Sequence, residues 1–89
     1  MSEKILQRVA NALDLPHDIV LNIPRITLTG KIVLLLENHK GIVEYRRDRV
    51  RVNTPIGIVA VKGEDLFIKT IIADEITVEG TIMSVEFED

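Results

Sequence analysis

From Pro24 to Phe87 the chain consists of short runs in which apolar, mostly β-branched residues alternate with polar ones, and three of these runs end at a glycine. A period of two is the pattern of a β-strand with one face against a core. It predicts eight short strands, over residues 25–29, 31–37, 42–46, 49–54, 58–62, 66–71, 75–79 and 81–87. The run over 31–37 is apolar on both faces, which predicts that it is the most central strand.

The connections between these runs are two to five residues long, too short for the crossovers that parallel neighbours require. We therefore predict a mainly β fold, an antiparallel meander of about eight short strands that curls into a small roll or sandwich. The segment ITLTGKI (26–32) is similar to ITVEGTI (76–82), and because solenoids are built from repeats, a short β-solenoid is the alternative fold. The irregular spacing of the glycine-ended runs favours bulges or sharp bends in long strands instead. The glycines assigned a structural role are Gly30, Gly41, Gly63 and Gly80.

Residues 1–15 have the apolar period of an amphipathic helix, with Ile5, Val9 and Leu13 on one face. Pro16 ends this pattern, and residues 16–24 are interpreted as a linker to the β region over 25–89. At 89 residues the chain is expected to form a single domain, 1–89, whose core must be built from Val, Ile and Leu because only three residues are aromatic. A core of this kind is marginal alone, so a second copy of the chain would help.

No chemical motif accompanies the strands, and we predict that the protein is not an enzyme and holds no cofactor. There is no cysteine, which excludes a disulfide-bonded scaffold, and the two histidines stand apart, so no metal site and no catalytic residue is assigned. The first residues interleave charges with apolar positions and resemble neither a secretory signal nor a membrane span.

Arginines concentrate between Arg46 and Arg51, and they are the sharpest surface feature of the sequence. The candidate interaction surface comprises Arg25, Asn38, His39, Arg46, Arg47, Arg49 and Arg51. A net charge of −3 and the near absence of stacking aromatics argue against nucleic acid. Cross-strand pairing with Glu44 offers a simpler explanation of Arg49 and Arg51. Asn38 and His39 are expected to hydrogen-bond the backbone of their own turn.

Several of these residues also form a recognisable pattern: Pro24-Arg25-Ile26, Glu37-Asn38-His39-Lys40-Gly41, Lys62-Gly63, and the closing series Ile76, Val78, Gly80, Ile82. The chain resembles the YabP/YqfC family of sporulation proteins over nearly its whole length, and within it the YqfC branch. The resemblance implies a role in endospore formation and expression in the mother cell, and it implies no activity, cofactor or catalytic residue.

The residues and the resemblance together predict a non-enzymatic structural, assembly or adaptor component of sporulation. Its expected partners are further copies of the chain, as a homo-oligomer, or a membrane-bound sporulation protein. The expected location is the cytoplasm of the mother cell, or the periphery of the forespore outer membrane. The alternative is a module that binds an anionic ligand or a membrane surface through the Arg46 to Arg51 hairpin.

Overall fold

The computed structural model describes residues 22–88, and all of the regular structure in this part of the chain is β. Six strands follow one another: β1 (Arg25–Thr29), β2 (Val33–Glu37), β3 (Gly41–Tyr45), β4 (Arg49–Thr54), β5 (Gly57–Ile72) and β6 (Glu75–Glu88). The prediction of a mainly β chain is therefore confirmed. The predicted helix over residues 1–15 lies outside the described residues.

The six strands form one open sheet in the order β1-β2-β6-β5-β4-β3, and every neighbouring pair is antiparallel. The antiparallel arrangement agrees with the sequence prediction and leaves no stacked parallel coils of the kind a solenoid requires. The simple meander is wrong at one place, because β2 pairs with β6 rather than with β3. The prediction that residues 31–37 form the most central strand is also wrong, because β2 lies one strand from the edge and β5 and β6 occupy the centre.

Eight predicted runs become six strands because β5 and β6 each join two runs across a bend. The register between them shifts at three places, including the step from Lys62 to Gly63. Gly63 and Gly80 lie where the two strands cross at close range. A Cβ atom on Gly63 would overlap the carbonyl oxygen of Thr81, and one on Gly80 would lie 2.7 Å from the carbonyl oxygen of Asp65. Only glycine allows this approach of two backbones.

The bends divide the sheet into two halves that share one hydrophobic core. One half contains β1, β2 and the adjoining parts of β5 and β6, and the other contains β3, β4 and the remaining parts of both long strands. Val50 and Val52 are buried as the alternation predicted. The buried cluster draws residues from both halves: Leu34, Leu36, Val50, Val52, Val59, Val61, Leu66, Ile76, Val78 and Ile82.

Candidate interaction surface

The arginines of the predicted surface lie along one side of β4 and in the turn that precedes it. Arg49 and Arg51 belong to β4, while Arg46 and Arg47 belong to the β3–β4 turn. Because Val50 and Val52 face the core, the alternation of the strand directs Arg49 and Arg51 outwards. Arg25 begins β1, at the opposite edge of the sheet.

Arg49 and Arg51 are paired with carboxylates of the same chain. The Arg49 guanidinium donates hydrogen bonds of 2.6 and 3.1 Å to the two oxygens of Glu44 on the neighbouring strand. The hydrogen bond from Arg49 lowers the pKa of Glu44 below its ordinary value, and the same contact raises the pKa of Arg49. Arg51 donates from Nε and Nη2 to Glu88 at 3.1 and 2.7 Å. The expected cross-strand pairing with Glu44 is therefore confirmed for Arg49.

The remaining three arginines of the candidate surface are also ion-paired. Arg25 lies 3.7 Å from Glu37, and the two turn residues pair locally, Arg46 with Asp48 at 3.4 Å and Arg47 with Asp65 at 2.7 Å. Exposed pairs of this kind contribute little to stability, but they neutralise the local field. The arginine-rich segment is consequently a network of neutralised pairs rather than an unbroken positive surface.

The acidic end of the chain contributes to this neutralisation. Glu86 accepts a hydrogen bond of 2.9 Å from the ammonium group of Lys62, and Glu88 is the partner of Arg51. These are cross-sheet contacts between β6, β5 and β4 within a single chain. The complementarity between the basic middle and the acidic end of the sequence is thus used inside the fold.

Asn38 and His39 support the β2–β3 connection. The Asn38 side-chain amide donates to the carbonyl oxygen of Ile23 at 2.9 Å, which ties the chain before β1 to this loop. His39 Nδ1 accepts a hydrogen bond of 3.0 Å from the backbone N–H of Gly41. The expectation that both side chains serve the backbone is confirmed, although Asn38 reaches the segment before β1 and not only its own turn. In a neutral ring whose Nδ1 accepts, the proton is on Nε2, and this atom is buried with no hydrogen-bond partner among residues 22–88.

An open cleft of about 410 Å³, which the sequence did not predict, lies beside the β3–β4 turn. Its walls are Tyr45, Arg46 and Arg47 on one side and Asp65, Leu66 and Phe67 from the bend of β5 on the other. The Tyr45 hydroxyl accepts a hydrogen bond of 2.9 Å from the backbone N–H of Ile68. These residues lie about 20 positions apart, and no pattern in the sequence signals that they meet. The predicted residues Arg46 and Arg47 reach this cleft, whereas Arg25, on β1, lies elsewhere.

Neither a metal centre nor a membrane-spanning helix occurs in residues 22–88. No three histidine or carboxylate side chains of this region converge as a set of metal ligands. No helix of the same region has the length and hydrophobicity needed to cross a bilayer. The distinctive surface features of the described fold are therefore the paired arginines and the apolar residues around the cleft.

Comparison with known proteins finds a family model and a curated relative that both align over most of this chain. The model of the YabP family matches residues 22–89, which include every strand described above. The chain is also 34% identical over 79 residues to the Bacillus subtilis (strain 168) protein named "Uncharacterized protein YqfC", with 89% of this chain and 85% of that protein covered. The chain belongs to the YabP family.

Proposed function

We propose that this protein is a non-enzymatic component of endospore formation that works by assembly in the cytoplasm of the mother cell. It assembles with further copies of itself, or it serves as an adaptor to a membrane-bound sporulation complex. Membership of the YabP family supports the process. The mode of action rests on the structure of the sheet and on its exposed apolar side chains.

The observation that carries the proposal is an open sheet with large hydrophobic residues at its unpaired edges. β1 and β3 each have a neighbour on one side only within the described chain. Exposed Leu28 lies on β1, and exposed Val43 and Tyr45 lie on β3. Unpaired edges template the addition of another strand, and proteins that remain monomeric usually protect them with lysine, proline or a covering element. Apolar residues at such edges are typical of surfaces that meet another protein.

The alternative function, binding of an anionic ligand or membrane surface through the Arg46 to Arg51 hairpin, has less support. All four arginines of this hairpin are ion-paired within the chain. An anionic surface would have to compete with those carboxylates. Contact through the exposed apolar residues of the sheet edges leaves these pairs in place.

The proposed function is tested in an endospore-forming host from which the gene has been deleted. We expect sporulation to stop at a defined morphological stage, seen by fluorescence microscopy of the forespore membranes, and to be restored by the wild-type gene. Undisturbed sporulation of the deletion strain would contradict the proposed process. Analytical ultracentrifugation of the purified full chain over a concentration series tests self-assembly separately.

A further inference from the structure

The edge strand β3 and the second half of β5 run side by side, and two backbone hydrogen bonds join the ends of this arrangement. His39 N donates to the carbonyl oxygen of Asp74 at 3.2 Å, and Leu66 N donates to the carbonyl oxygen of Arg47 at 2.7 Å. In these two pairs the residue number rises along one segment by as much as it falls along the other. The two segments are therefore antiparallel and keep one register along their length.

Between these ends the two strands do not form a ladder. Among the strands of residues 22–88, β3 pairs with β4 alone and this part of β5 pairs with β6 alone. Tyr45 and Ile68 lie opposite each other in the same register, yet they are joined through the tyrosine side chain, whose hydroxyl accepts a hydrogen bond of 2.9 Å from the Ile68 N–H. A tyrosine side chain, measured from Cα to its hydroxyl oxygen, is longer than the backbone spacing of roughly 4.8 Å in a sheet. The two strands are consequently held apart, and the sheet does not close here.

The gap exposes residues that face the inside of the fold. Ile42, Tyr45 and Ile71 each lie opposite a buried residue of β4 or β6 and so share its inward face. Their exposed fractions are nevertheless 39%, 53% and 55%. Inward-facing residues at this exposure show that the core is uncovered between the two strands.

Further apolar residues surround the gap. Val43, at the irregularity of β3, and Phe67 and Ile72 of β5 are also exposed, so these two strands carry six of the eleven exposed large hydrophobic residues of the described chain. Residues 66–74 span roughly 26 Å at about 3.3 Å per residue. We call this band, Ile42, Val43, Tyr45, Phe67, Ile71 and Ile72, the open side.

The two ends of the open side differ in charge. Arg46 and Arg47 lie at one end, where they form exposed ion pairs with Asp48 and Asp65. Exposed pairs of this kind are weak, so the carboxylates of a second copy can compete for these arginines. Asp74 and Glu75 lie at the other end, beside the backbone contact of His39. Both acids are exposed, and neither forms an ion pair with any residue from 22 to 88.

We propose that the open side is a two-fold interface between two copies of this chain. A two-fold axis across the middle of the band reverses its direction, so the apolar residues of one copy cover those of the other. The same operation brings the arginine end of each copy to the acidic end of its partner, and a self-complementary contact of this kind closes as a dimer. This inference rests on the proposed function, since it assigns the self-assembly surface.

The apolar part is tested with Ile71→Lys, and Met83→Lys serves as the matched control. Both positions are exposed, so the lysine ammonium reaches solvent in the folded monomer, but Met83 lies on β6 away from the open side. We expect a concentration-dependent dimer for wild type in analytical ultracentrifugation. Ile71→Lys should raise its dissociation constant at least tenfold, and Met83→Lys should leave it within about twofold. Far-UV circular dichroism checks that each variant is folded.

The charge arrangement is tested with Arg47→Glu, Glu75→Arg and the double variant. Each single change places like charges at the facing ends and should weaken the dimer, whereas the double change restores opposite charges and should recover most of the affinity at low salt. The recovered affinity of the double variant should be lost at about 0.5 M salt, because salt screens exposed ion pairs across the interface. Two equally weak single variants without recovery in the double would overturn the proposed orientation.

The outcomes separate this inference from the proposed function. Dimers that survive Ile71→Lys but are lost in Met83→Lys would place the interface on β6 and overturn the inference, while self-assembly would stand. A wild-type monomer at every concentration would also overturn it, and the deletion phenotype would still decide the role in sporulation.

Discussion

Replacing Gly63 with alanine should destabilise the fold strongly, because β5 and β6 cross at this residue with no space for a side chain. The added Cβ overlaps the Thr81 carbonyl oxygen and lies 3.0 Å from the Thr81 carbonyl carbon and 3.2 Å from Ile82 Cα. Overpacking costs about 1–3 kcal/mol where side chains can adjust. Here the neighbours are backbone atoms of the central strand, so we expect a loss of about 3 kcal/mol or more. A domain of this size has a total stability of about 5–10 kcal/mol.

Urea denaturation followed by far-UV circular dichroism measures this loss, and Gly30→Ala provides the matched control. Gly30 has a φ of +55°, and apart from its two chain neighbours no residue from 22 to 88 has an atom within 4 Å of an added Cβ. Its substitution therefore carries only the cost of the left-handed backbone, roughly 1 kcal/mol. The steric explanation is wrong if Gly63→Ala has the same urea midpoint of unfolding as wild type, or if it loses no more stability than Gly30→Ala.

Three further predictions concern individual side chains. Arg49 lowers the pKa of Glu44 in the folded protein, so the ion pair between them stabilises the fold above the unfolded-state pKa of Glu44. This stabilisation is lost as the pH falls through the lowered folded-state pKa. Glu44→Gln should therefore lose less stability on acidification than wild type, as measured by thermal melts. Thr54 is 5% exposed, and its hydroxyl both donates to and accepts from the backbone of the following turn at 2.6 and 3.2 Å; Thr54→Val should cost about 1–3 kcal/mol in urea denaturation, and an unchanged midpoint would contradict this. His39→Ala removes the acceptor of the Gly41 N–H and should cost about 1 kcal/mol, whereas His39→Asn, whose side-chain oxygen can accept the same bond, should lose less; equal losses would count against the hydrogen bond.

The strands and their inward faces could be predicted from the sequence because alternation depends on local order alone. The valines of β4, Val50 and Val52, have the burial that their spacing indicated. The same reasoning assigned Gly63 and Gly80 to bulges or sharp bends in long strands, and the two backbones approach closely at both. A glycine that ends one apolar run and begins another is a local signal of a bend.

The pairing of β2 with β6 and the opening beside β3 could not be predicted in this way. Both depend on contacts between distant residues, such as Leu34 with Val78 and Tyr45 with Ile68. The irregularity between Ile42 and Glu44 also changes which residues of β3 face inwards. Strict alternation places Ile42 and Tyr45 on opposite faces, whereas the bulge places both on the inner face.

The position of β6 between β2 and β5 also sets the order in which the fold can form on the ribosome. The β1–β2 hairpin is synthesised early, but the edge of β2 is completed only when residues 75–79 have emerged. The β3–β4 hairpin and the first half of β5 can pair as soon as they are made, because their partners are adjacent in the sequence. Leu34 and Leu36 therefore remain on a strand that is paired along one side only until residues 75–79 have been translated, and β6 is the strand that joins the two halves of the core.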